Sequence, residues 1–242
     1  MIPHVVAGGP VIPNYGTAHG CIANNDSMLC TTWIREHWHD TLEPAIVQHL
    51  WLTAIAVGVG FAIAFAAALI AHRYGVLAAP FSVFSAFLYT IPSIALFQLL
   101  VPVTGITVTT IEIGLVGYTL LILFRNTLAG LRSVPPEVLE AARGMGLTRS
   151  QILRRVELPL ALPAISAGIR ISVVTTISLA TVAAYITPYG LGKPIFDGLQ
   201  INYRTEYVVA GLLAIALALA ADAVLVVVQR GLTPWARRRG TG

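Results

Sequence analysis

The amino-acid sequence predicts an all-α, polytopic membrane protein with about five transmembrane helices. The composition supports this class, because hydrophobic residues make up 56% of the 242 residues and charged residues only 11%. Soluble domains contain about 45–50% apolar and about 25% charged residues, so this chain has too few charges to cover a surface that faces water. The apolar residues are also grouped in runs of roughly 20 or more, the length that a helix needs to cross the hydrocarbon core.

Five such runs follow one another along the chain, and each is interpreted as one span. Glycine, proline and charged residues separate or interrupt them, and the third run is the least uniform, since a charge lies near each of its ends. The predicted spans are 46–70, which is uncharged after His49; 76–101, which contains Pro80 and Pro92; 106–128, with Glu112 and Arg125 near its ends; 160–186, with Arg170 inside; and 208–228, with Asp222 inside.

The distribution of Lys and Arg predicts the orientation of the spans, because cytoplasmic loops of membrane proteins are enriched in these residues. Of the 15 Lys and Arg residues, Arg170 lies within a span, eleven lie on one side, and Arg35, Lys193 and Arg204 lie on the other. We therefore expect the amino terminus outside and the carboxyl terminus in the cytoplasm. The chain is then divided into an extracytoplasmic segment 1–43, a transmembrane domain 44–230 with a cytoplasmic loop 132–158, and a basic cytoplasmic tail 231–242.

The net charge of +4 does not indicate nucleic-acid binding, because the basic residues form short clusters between apolar runs. Residues 1–40 lack a basic start followed by an apolar stretch, so we expect no cleavable signal peptide. Cys21 and Cys30 are the two cysteines of the chain. Outside the cytoplasm a disulfide between them is plausible. The alternative is a metal site with His37 and His39, although no standard zinc spacing fits.

The polar loop 132–158 begins with the local signals of a short helix. The proline pair 135–136 suits a first helical turn, where a missing amide hydrogen costs little. Glu137 lies favourably near the positive end of such a helix. Gly144 and Gly146 are expected to close it, and Gly146 is the better candidate for a left-handed cap.

A second helix is predicted to follow directly. Thr148 and Gln151 have the spacing of a capping box, and Leu147 with Ile152 has that of its hydrophobic staple. The Leu158-Pro159 pair is expected to end this helix before the fourth span. A compact helical hairpin suits docking into a groove of a partner protein, and the alternative is a plain linker between two spans.

The same loop carries a longer pattern: Glu140-Ala141-Ala142, then Gly146 after three residues, and Val-Glu-Leu-Pro at 156–159 after nine more. It resembles the Glu-Ala-Ala…Gly…Ile-x-Leu-Pro pattern of ABC importer permeases, with Val in place of Ile. The resemblance implies the type I ABC importer permease fold and a coupling loop that docks on an ATPase subunit. The implied coupling residues are Glu140, Ala141, Ala142, Gly144, Gly146, Leu147, Thr148, Gln151, Leu158 and Pro159.

Further stretches between about 49 and 222 resemble the glycine betaine, carnitine and choline permeases, the osmoprotectant group. They are Tyr-Thr-Ile-Pro-Ser-Ile-Ala-Leu at 89–96, Arg-Asn-Thr at 125–127, Gly-Ile-Arg at 168–170 and Gly-Leu-Gly at 190–192, together with 140–145 and 156–163. Methionine permeases share the coupling loop but are less similar at 90–93 and 125–127, so a methionine or ergothioneine permease is the alternative. Through these stretches the resemblance suggests pathway or gate residues at Tyr89, Thr90, Pro92, Ser93, Asn126, Gly190 and Gly192.

Two positions depart from the osmoprotectant pattern. Tyr89 stands where Gln is expected, and Thr187-Pro188-Tyr189 replaces a small, glycine-rich approach to Gly190. Both departures bear on the pathway or the gate, and therefore on which solute is carried.

The resemblance also implies partners: a second permease subunit, identical or homologous, two cytoplasmic ATPase subunits and an extracytoplasmic solute-binding protein. It implies a place in the lipid of the bacterial cytoplasmic (inner) membrane. The sequence contains no Gly-x4-Gly-Lys-Ser/Thr phosphate loop, so ATP and Mg²⁺ are expected on the ATPase subunits and no cofactor on this chain. No soluble binding domain follows Gly242, so ligand capture is also expected elsewhere.

Arg170 and Asp222 are charged residues inside the predicted fourth and fifth spans. Both are costly in hydrocarbon, and both lie roughly 12–15 Å from the cytoplasmic edge at about 1.5 Å per residue. They are predicted to form a structural ion pair, and the alternative is a direct role in the pathway.

Polar and aromatic side chains in the spans are further pathway candidates. Thr175, Ser178 and Thr181 recur every three residues on one helical face, where they either line the pathway or pack against neighbouring helices. The aromatic rings of Phe87, Tyr89, Phe97 and Tyr185 either contact a quaternary ammonium through cation–π interactions or fill space in the membrane.

The sequence disfavours two other classes of function. An intramembrane enzyme needs a nucleophile–base pair or metal ligands within the spans, yet every His except His72 lies at or before His49 and both cysteines are predicted outside. A membrane anchor or sensor does not need several polar groups inside five spans. The sequence therefore favours a permease without catalytic residues and without a resident metal.

Overall fold

The computed structural model describes residues 21 and 28–234, and all regular secondary structure in this part of the chain is helical. Most of the predicted segment 1–43 and of the predicted tail 231–242 therefore lies outside the described residues. In chain order the helices are α1 (Thr31–Glu36), α2 (Glu43–Arg73), α3 (Ala78–Thr90), α4 (Ser93–Thr104), α5 (Val108–Arg132), α6 (Pro136–Gly144), α7 (Arg149–Ile152), α8 (Leu158–Ala183), α9 (Gly192–Gln200) and α10 (Arg204–Leu232).

Four helical segments of the described chain are long and apolar enough to cross a membrane: Trp38–Arg73, Val108–Arg132, Arg149–Ala183 and Arg204–Leu232. A fifth candidate consists of two helices, Gly75–Thr90 and Ser93–Thr104, which are bent by 100° relative to each other. The described residues therefore contain four candidate spans, or five if the bent pair is counted as one.

The predicted second span, 76–101, is not a single straight helix. Ile91 and Pro92 are extended, with ψ angles of 131° and 136°. The ring of Pro92 disfavours the helical conformation at the preceding residue, and its nitrogen cannot donate a hydrogen bond, so α3 ends at Thr90 and α4 begins afresh at Ser93. The hydroxyl of Tyr118 donates to the carbonyl of Ile91 and attaches the bend to α5.

The core lies where α5 packs between α2 and α8. One buried cluster joins Leu52 of α2, Ile111 and Leu115 of α5, and Ala180 of α8, all at most 1% exposed. A second cluster, nearer the carboxyl end of α2, joins α2 and α5 through alanine, leucine and phenylalanine side chains. The three helices are thus packed along most of their length, and the remaining helices are arranged around them.

Glycine residues allow the closest approaches between these helices. A Cβ atom at Gly60 of α2 would lie 1.9 Å from Oγ1 of Thr119 on α5, and one at Gly168 of α8 would lie 2.7 Å from Cβ of Asn126 on α5. Small residues at such positions are the usual means by which membrane helices gain van der Waals contact.

Gly60→Val should destabilise the protein, because a larger side chain cannot enter the contact with Thr119 unless α2 and α5 separate. Overpacking of this kind typically costs about 1–3 kcal/mol. The measurement is thermal unfolding of the purified protein in detergent. Gly58→Val is the matched control, since Gly58 lies on the same helix with no atom within 4 Å of an added Cβ. Equal melting temperatures for the two variants would contradict the close contact.

Candidate functional site

The polar loop 132–158 folds as the predicted helical hairpin. Helix α6 begins at Pro136 and ends at Gly144, as the proline and glycine signals indicate. Gly146 has a φ angle of +79°. The amide of Gly146 donates to the carbonyl of Arg143, and the amide of Leu147 donates to the carbonyl of Ala142. This is a Schellman motif, in which a left-handed glycine satisfies the last carbonyls of a helix.

The second half of the hairpin is capped as predicted. Thr148 and Gln151 form a capping box, with the amide of Thr148 donating to Oε1 of Gln151 at 2.8 Å. Helix α7 leads through a π-turn (Leu153–Glu157) directly into α8.

The prediction that the Leu158-Pro159 pair separates the hairpin from the fourth span is therefore wrong. Pro159 lies in the first turn of α8, where its missing amide hydrogen is tolerated. In the π-turn before Pro159, backbone hydrogen bonds span five residues instead of four, so the helix can continue although Pro159 has no amide hydrogen to donate. The result is a continuous helical segment from Arg149 to Ala183, and the hairpin is rigidly attached to a membrane span.

The inner face of the hairpin is anchored to the rest of the molecule. Ala142 and Ile152 are buried. Nε2 of His72, near the end of α2, lies 3.1 Å from Oε1 of Glu157 in the π-turn. Between the end of α2 and the hairpin lies a cavity of about 1180 Å³, lined in part by Arg73, Leu139, Leu147, Thr148 and Leu153.

The outer face of the hairpin is exposed. Glu140, Ala141 and Gly144 are exposed, and Met145 is 73% exposed at the tip. An exposed apolar tip and an exposed acidic side chain, on a short and well-capped hairpin, are suited to insertion into a groove of another protein.

Arg170 and Asp222 lie in direct contact. Nε of Arg170 donates to Oδ1 of Asp222 at 2.8 Å, and Nη2 donates to Oδ2 at 3.0 Å. The two parallel hydrogen bonds form a bidentate pair between α8 and α10. Each side chain is about one-third exposed, so the pair lies at the surface of this single chain.

The candidate residues of the 89–97 region are placed around the bend at Pro92. Tyr89 is exposed and meets the ring of Tyr118 edge-on at 5.9 Å between centroids. Thr90 and Pro92 are exposed, whereas Ser93 is half-buried. Phe97 is fully buried in the core against Gly114, so in this conformation it presents no surface to a solute.

The candidate residues of α5 and α8 lie close to the α5–α8 contact or on the open face of α8. The side-chain amide of Asn126 donates through Nδ2 to the backbone carbonyl of Ile122, and the same side chain packs on Gly168. Thr175 and Thr181 are half-buried, and Ser178 is exposed. The hydroxyl of Thr181 donates to the carbonyl of Ser178.

The glycine pair Gly190 and Gly192 lies in a tight turn between α8 and α9. Gly190 has a φ angle of +68°, and a Cβ atom at Gly192 would lie 2.2 Å from the carbonyl oxygen of Thr181. Both positions therefore require glycine, and the start of α9 is pressed directly onto the end of α8.

Gln48 and His49 of α2 hold this turn, and the sequence interpretation missed their role. The amide of Gly190 donates to Oε1 of Gln48 at 3.0 Å, and the amide of Leu191 donates to Nδ1 of His49 at 3.2 Å. Nε2 of the fully buried His49 lies 3.0 Å from the carbonyl of Ile177 on α8 and donates to it. The signal in the sequence was a histidine inside an apolar span, which needs a polar partner.

The residues before α2 form a small cap on the start of α10. Cys21 and Cys30 are joined in a disulfide, and the amide of Cys30 donates to Oγ1 of Thr205. Trp33 is buried and contacts Tyr203 with a centroid distance of 5.6 Å.

The structure does not support the alternative metal site. His37 stacks on Trp33, and Nδ1 of His39 contacts Glu43. Among the described residues no group of three or more His, Cys, Asp or Glu side chains is arranged to hold a metal ion.

The comparison with known proteins identifies the family. The family described as the inner membrane component of binding-protein-dependent transport systems matches residues 58–238. The chain belongs to this family. It is accordingly an ABC importer permease subunit, an integral membrane protein and not an enzyme, of a kind that works with an ATPase and a binding protein.

Curated relatives of the permease are similar over most of their length. The osmoprotectant import permease protein OsmW of Salmonella typhimurium is 40% identical over 77% of this chain and 89% of its own. The choline transport system permease protein OpuBB of Bacillus subtilis is 36% identical over 79% and 88%. The carnitine transport permease protein OpuCB of Listeria monocytogenes is 36% identical over 86% and 94%.

Solved structures of the MetNI methionine ABC transporter, in inward-facing conformations, share the fold of the permease. Two crystal forms match with TM-scores of 0.67 and 0.70, covering 77% and 82% of this chain and 93% and 99% of theirs. At 22% sequence identity this likeness concerns the fold alone, which is the type I permease fold.

Either single neutral substitution of the ion pair, Arg170→Met or Asp222→Leu, should lower the yield of folded permease, because one charge is left without its partner in a span. The double variant should recover part of this loss, since no lone charge remains. The measurement is the monodisperse fraction in detergent after matched expression. Two single variants that both fold like the unmodified protein would show that the pair is structurally dispensable. A double variant that folds but does not transport would assign the charges to the pathway.

Proposed function

We propose that this permease forms part of the translocation pathway for an osmoprotectant that carries a quaternary ammonium group, such as glycine betaine, choline or carnitine. The observation that carries the proposal is the 36–40% identity, over more than three-quarters of this chain, to relatives named for choline, carnitine or osmoprotectant import. Methionine is less well supported, because the methionine transporter is similar at only 22% identity.

The coupling hairpin (136–158) is the proposed docking site for the ATPase subunit. Its exposed tip at Met145, the exposed Glu140 and the anchored inner face support this assignment. The partner ATPases would hold ATP and Mg²⁺, since the chain has no phosphate loop of its own. The hairpin would then lie in the cytoplasm, and the turn 186–192 would lie on the opposite side, toward the binding protein.

A second permease subunit is proposed to complete the pathway. Two of the relatives from Bacillus subtilis, OpuBB and OpuBD, share the description choline transport system permease protein. Such pairing supports either a homologous partner or a second copy of this chain. The candidate pathway residues on the open faces, Tyr89, Thr90, Pro92, Thr175, Ser178 and Thr181, would face that partner or the solute between the two subunits.

The solute assignment predicts that the assembled transporter, reconstituted with its ATPases and binding protein, imports at least one of glycine betaine, choline and carnitine. The measurement is ATP-dependent uptake of each radiolabelled solute into proteoliposomes, with methionine and ergothioneine as alternatives. Uptake of methionine or ergothioneine without any quaternary ammonium osmolyte would overturn the osmoprotectant assignment.

The coupling assignment predicts that Gly146→Val and Glu140→Arg each reduce solute-stimulated ATP hydrolysis without preventing membrane insertion. A β-branched residue at a φ of +79° is strained by about 1–3 kcal/mol, and the second change reverses a charge on the exposed face. The measurements are solute-stimulated ATP hydrolysis by the reconstituted transporter, the amount of permease in the membrane fraction, co-purification of the ATPase, and uptake. Gly75→Val is the control, because Gly75 lies near the hairpin side of α2 with open space and no positive φ. Unchanged coupling in both hairpin variants would refute the docking role.

A further inference from the structure

A cavity lies at the end of α8 that is opposite the coupling hairpin. It has a volume of about 540 Å³ and is lined by residues of the turn after α8 and of α9. Small-ligand sites typically measure about 300–1,000 Å³. With 26 residues in α8 and about 1.5 Å per residue, the cavity lies roughly 39 Å from the start of α8 at the coupling hairpin.

Two aromatic rings form one corner of this cavity. The centroids of Tyr185 and Phe196 are 5.9 Å apart, and the ring planes are inclined at 59°. Inclined rings leave a wedge between their faces, whereas stacked rings would cover each other. A cation within about 6 Å of a ring centroid is attracted by the ring, and with this spacing a single cation can lie within that distance of both rings.

A carboxylate lies in the same cavity as the two rings. Asp197 and Lys193 are one helical turn apart on α9 and form an ion pair, with the side chains about half exposed. Glu206 of α10 lies close behind, because a Cβ atom at Gly198 would lie 3.0 Å from Cβ of Glu206. The carboxylate of Asp197 places negative charge beside the two rings, and negative charge attracts a cation.

The turn that carries the corner is held firmly in place. The side chains of Gln48 and His49 accept hydrogen bonds from the backbone amides of Gly190 and Leu191, and Gly192 lies in close contact with the carbonyl of Thr181. These contacts tie the start of α9 to α2 and α8. The backbone of the turn and of the start of α9, the helix that carries Phe196, is therefore held by buried contacts, as preorganised recognition requires.

We propose that Tyr185, Phe196 and Asp197 form a headgroup pocket that binds the quaternary ammonium group of the solute as it enters the permease. This inference rests on the proposed function and adds the contact site on this chain. A quaternary ammonium has no N–H group, so it gains from the ring faces and from the negative charge without displacing the hydrogen bond between Lys193 and Asp197. A primary ammonium would instead have to compete with Lys193 for the carboxylate.

The first test measures binding of choline chloride to the assembled transporter without its binding protein. A ligand that binds the folded state raises the melting temperature in a concentration-dependent manner. We expect choline to raise it above the value in sodium chloride of equal concentration. The neutral carbon isostere of choline, with carbon in place of nitrogen, should not. Equal effects of choline, the isostere and sodium chloride would overturn the proposal.

The second test uses matched variants of the corner. Tyr185→Leu and Phe196→Leu should each weaken choline binding about 3- to 10-fold, the range expected from losing one cation–π contact. Tyr185→Phe, which keeps the ring, should bind choline like the unmodified protein. Phe84→Leu should do the same, because Phe84 is an exposed aromatic residue on α3, outside the pocket. Asp197→Asn, which keeps the shape of the side chain, should also weaken binding. Unmodified affinity in the Leu variants and in Asp197→Asn would refute the pocket.

Lys193→Gln tests whether the charges of Lys193 and Asp197 influence which solute binds. Removing the ammonium of Lys193 leaves the carboxylate of Asp197 without its counter-ion, so the cation choline should bind more tightly. Glycine betaine is a zwitterion, and its carboxylate would lose a positive neighbour, so it should gain less than choline. We expect the ratio of the two dissociation constants to change about 3-fold or more in favour of choline. An unchanged ratio would show that the ligand does not reach these charges.

The outcomes for the pocket and for the proposed function can be told apart. If the reconstituted transporter imports a quaternary ammonium osmolyte but the corner variants bind choline normally, the pocket is refuted and the function stands. If it imports no such osmolyte, the proposed function fails, and the headgroup pocket fails with it as a solute site, whatever choline binding is measured.

Discussion

In the hydrocarbon core of a membrane, helices gain little by burying apolar side chains against one another, because lipid is equally apolar. The association of α2, α5 and α8 depends instead on close backbone approach, and Gly60 and Gly168 provide it. This constraint determines the rest of the architecture. Since α5 is enclosed by α2 and α8, the bent pair α3–α4 and the outer helix α10 remain at the periphery, and α10 exposes apolar side chains such as Leu219 and Val227 to its surroundings.

Helix α8 connects the coupling hairpin to the aromatic corner, the two regions for which functions are proposed. Its helical segment runs without a break for 35 residues from Arg149, at the coupling hairpin, to Ala183, at the aromatic corner. At about 1.5 Å per residue this is roughly 52 Å. Glu157 contacts α2 through His72 at one end, and the carbonyl of Ile177 contacts α2 through His49 near the other. A force applied to the hairpin would therefore reach the turn at Gly190 through a rigid helix that is fastened to the same neighbour at both ends.

Several polar groups in the spans bond to neighbouring helices or within their own helix. Arg170 and Asp222 join α8 to α10, His49 joins α2 to α8 and to the turn before α9, and Asn126 is bonded within α5. The physical reason is the cost of leaving a polar group without a partner in lipid. The open face of α8, with Ser178 exposed, and the corner at Tyr185 are where polar or aromatic side chains stay available to a solute.

The sequence by itself determined the features that depend on neighbouring residues along the chain. Apolar runs of sufficient length predict spans, and the signals at Pro136, Gly146 and Thr148 predict the ends of the hairpin helices, because caps and turns are built from groups a few residues apart. The pairing of Arg170 with Asp222 was also accessible, since depth along a span follows from counting residues. The family resemblance rested on the same local patterns.

Only the tertiary structure decided two kinds of feature. The first is the choice between alternative local conformations, and the second is the set of contacts between residues that are distant in the sequence. The prolines at 92 and 159 show the first: Pro92 produced a bend of 100°, whereas Pro159 continued a helix behind a π-turn. The bonds from the turn at Gly190 to Gln48 and His49 join residues 142 positions apart. The aromatic corner exists because that turn is held on α2 and α8. Such contacts depend on how helices are arranged in three dimensions, which no local pattern specifies.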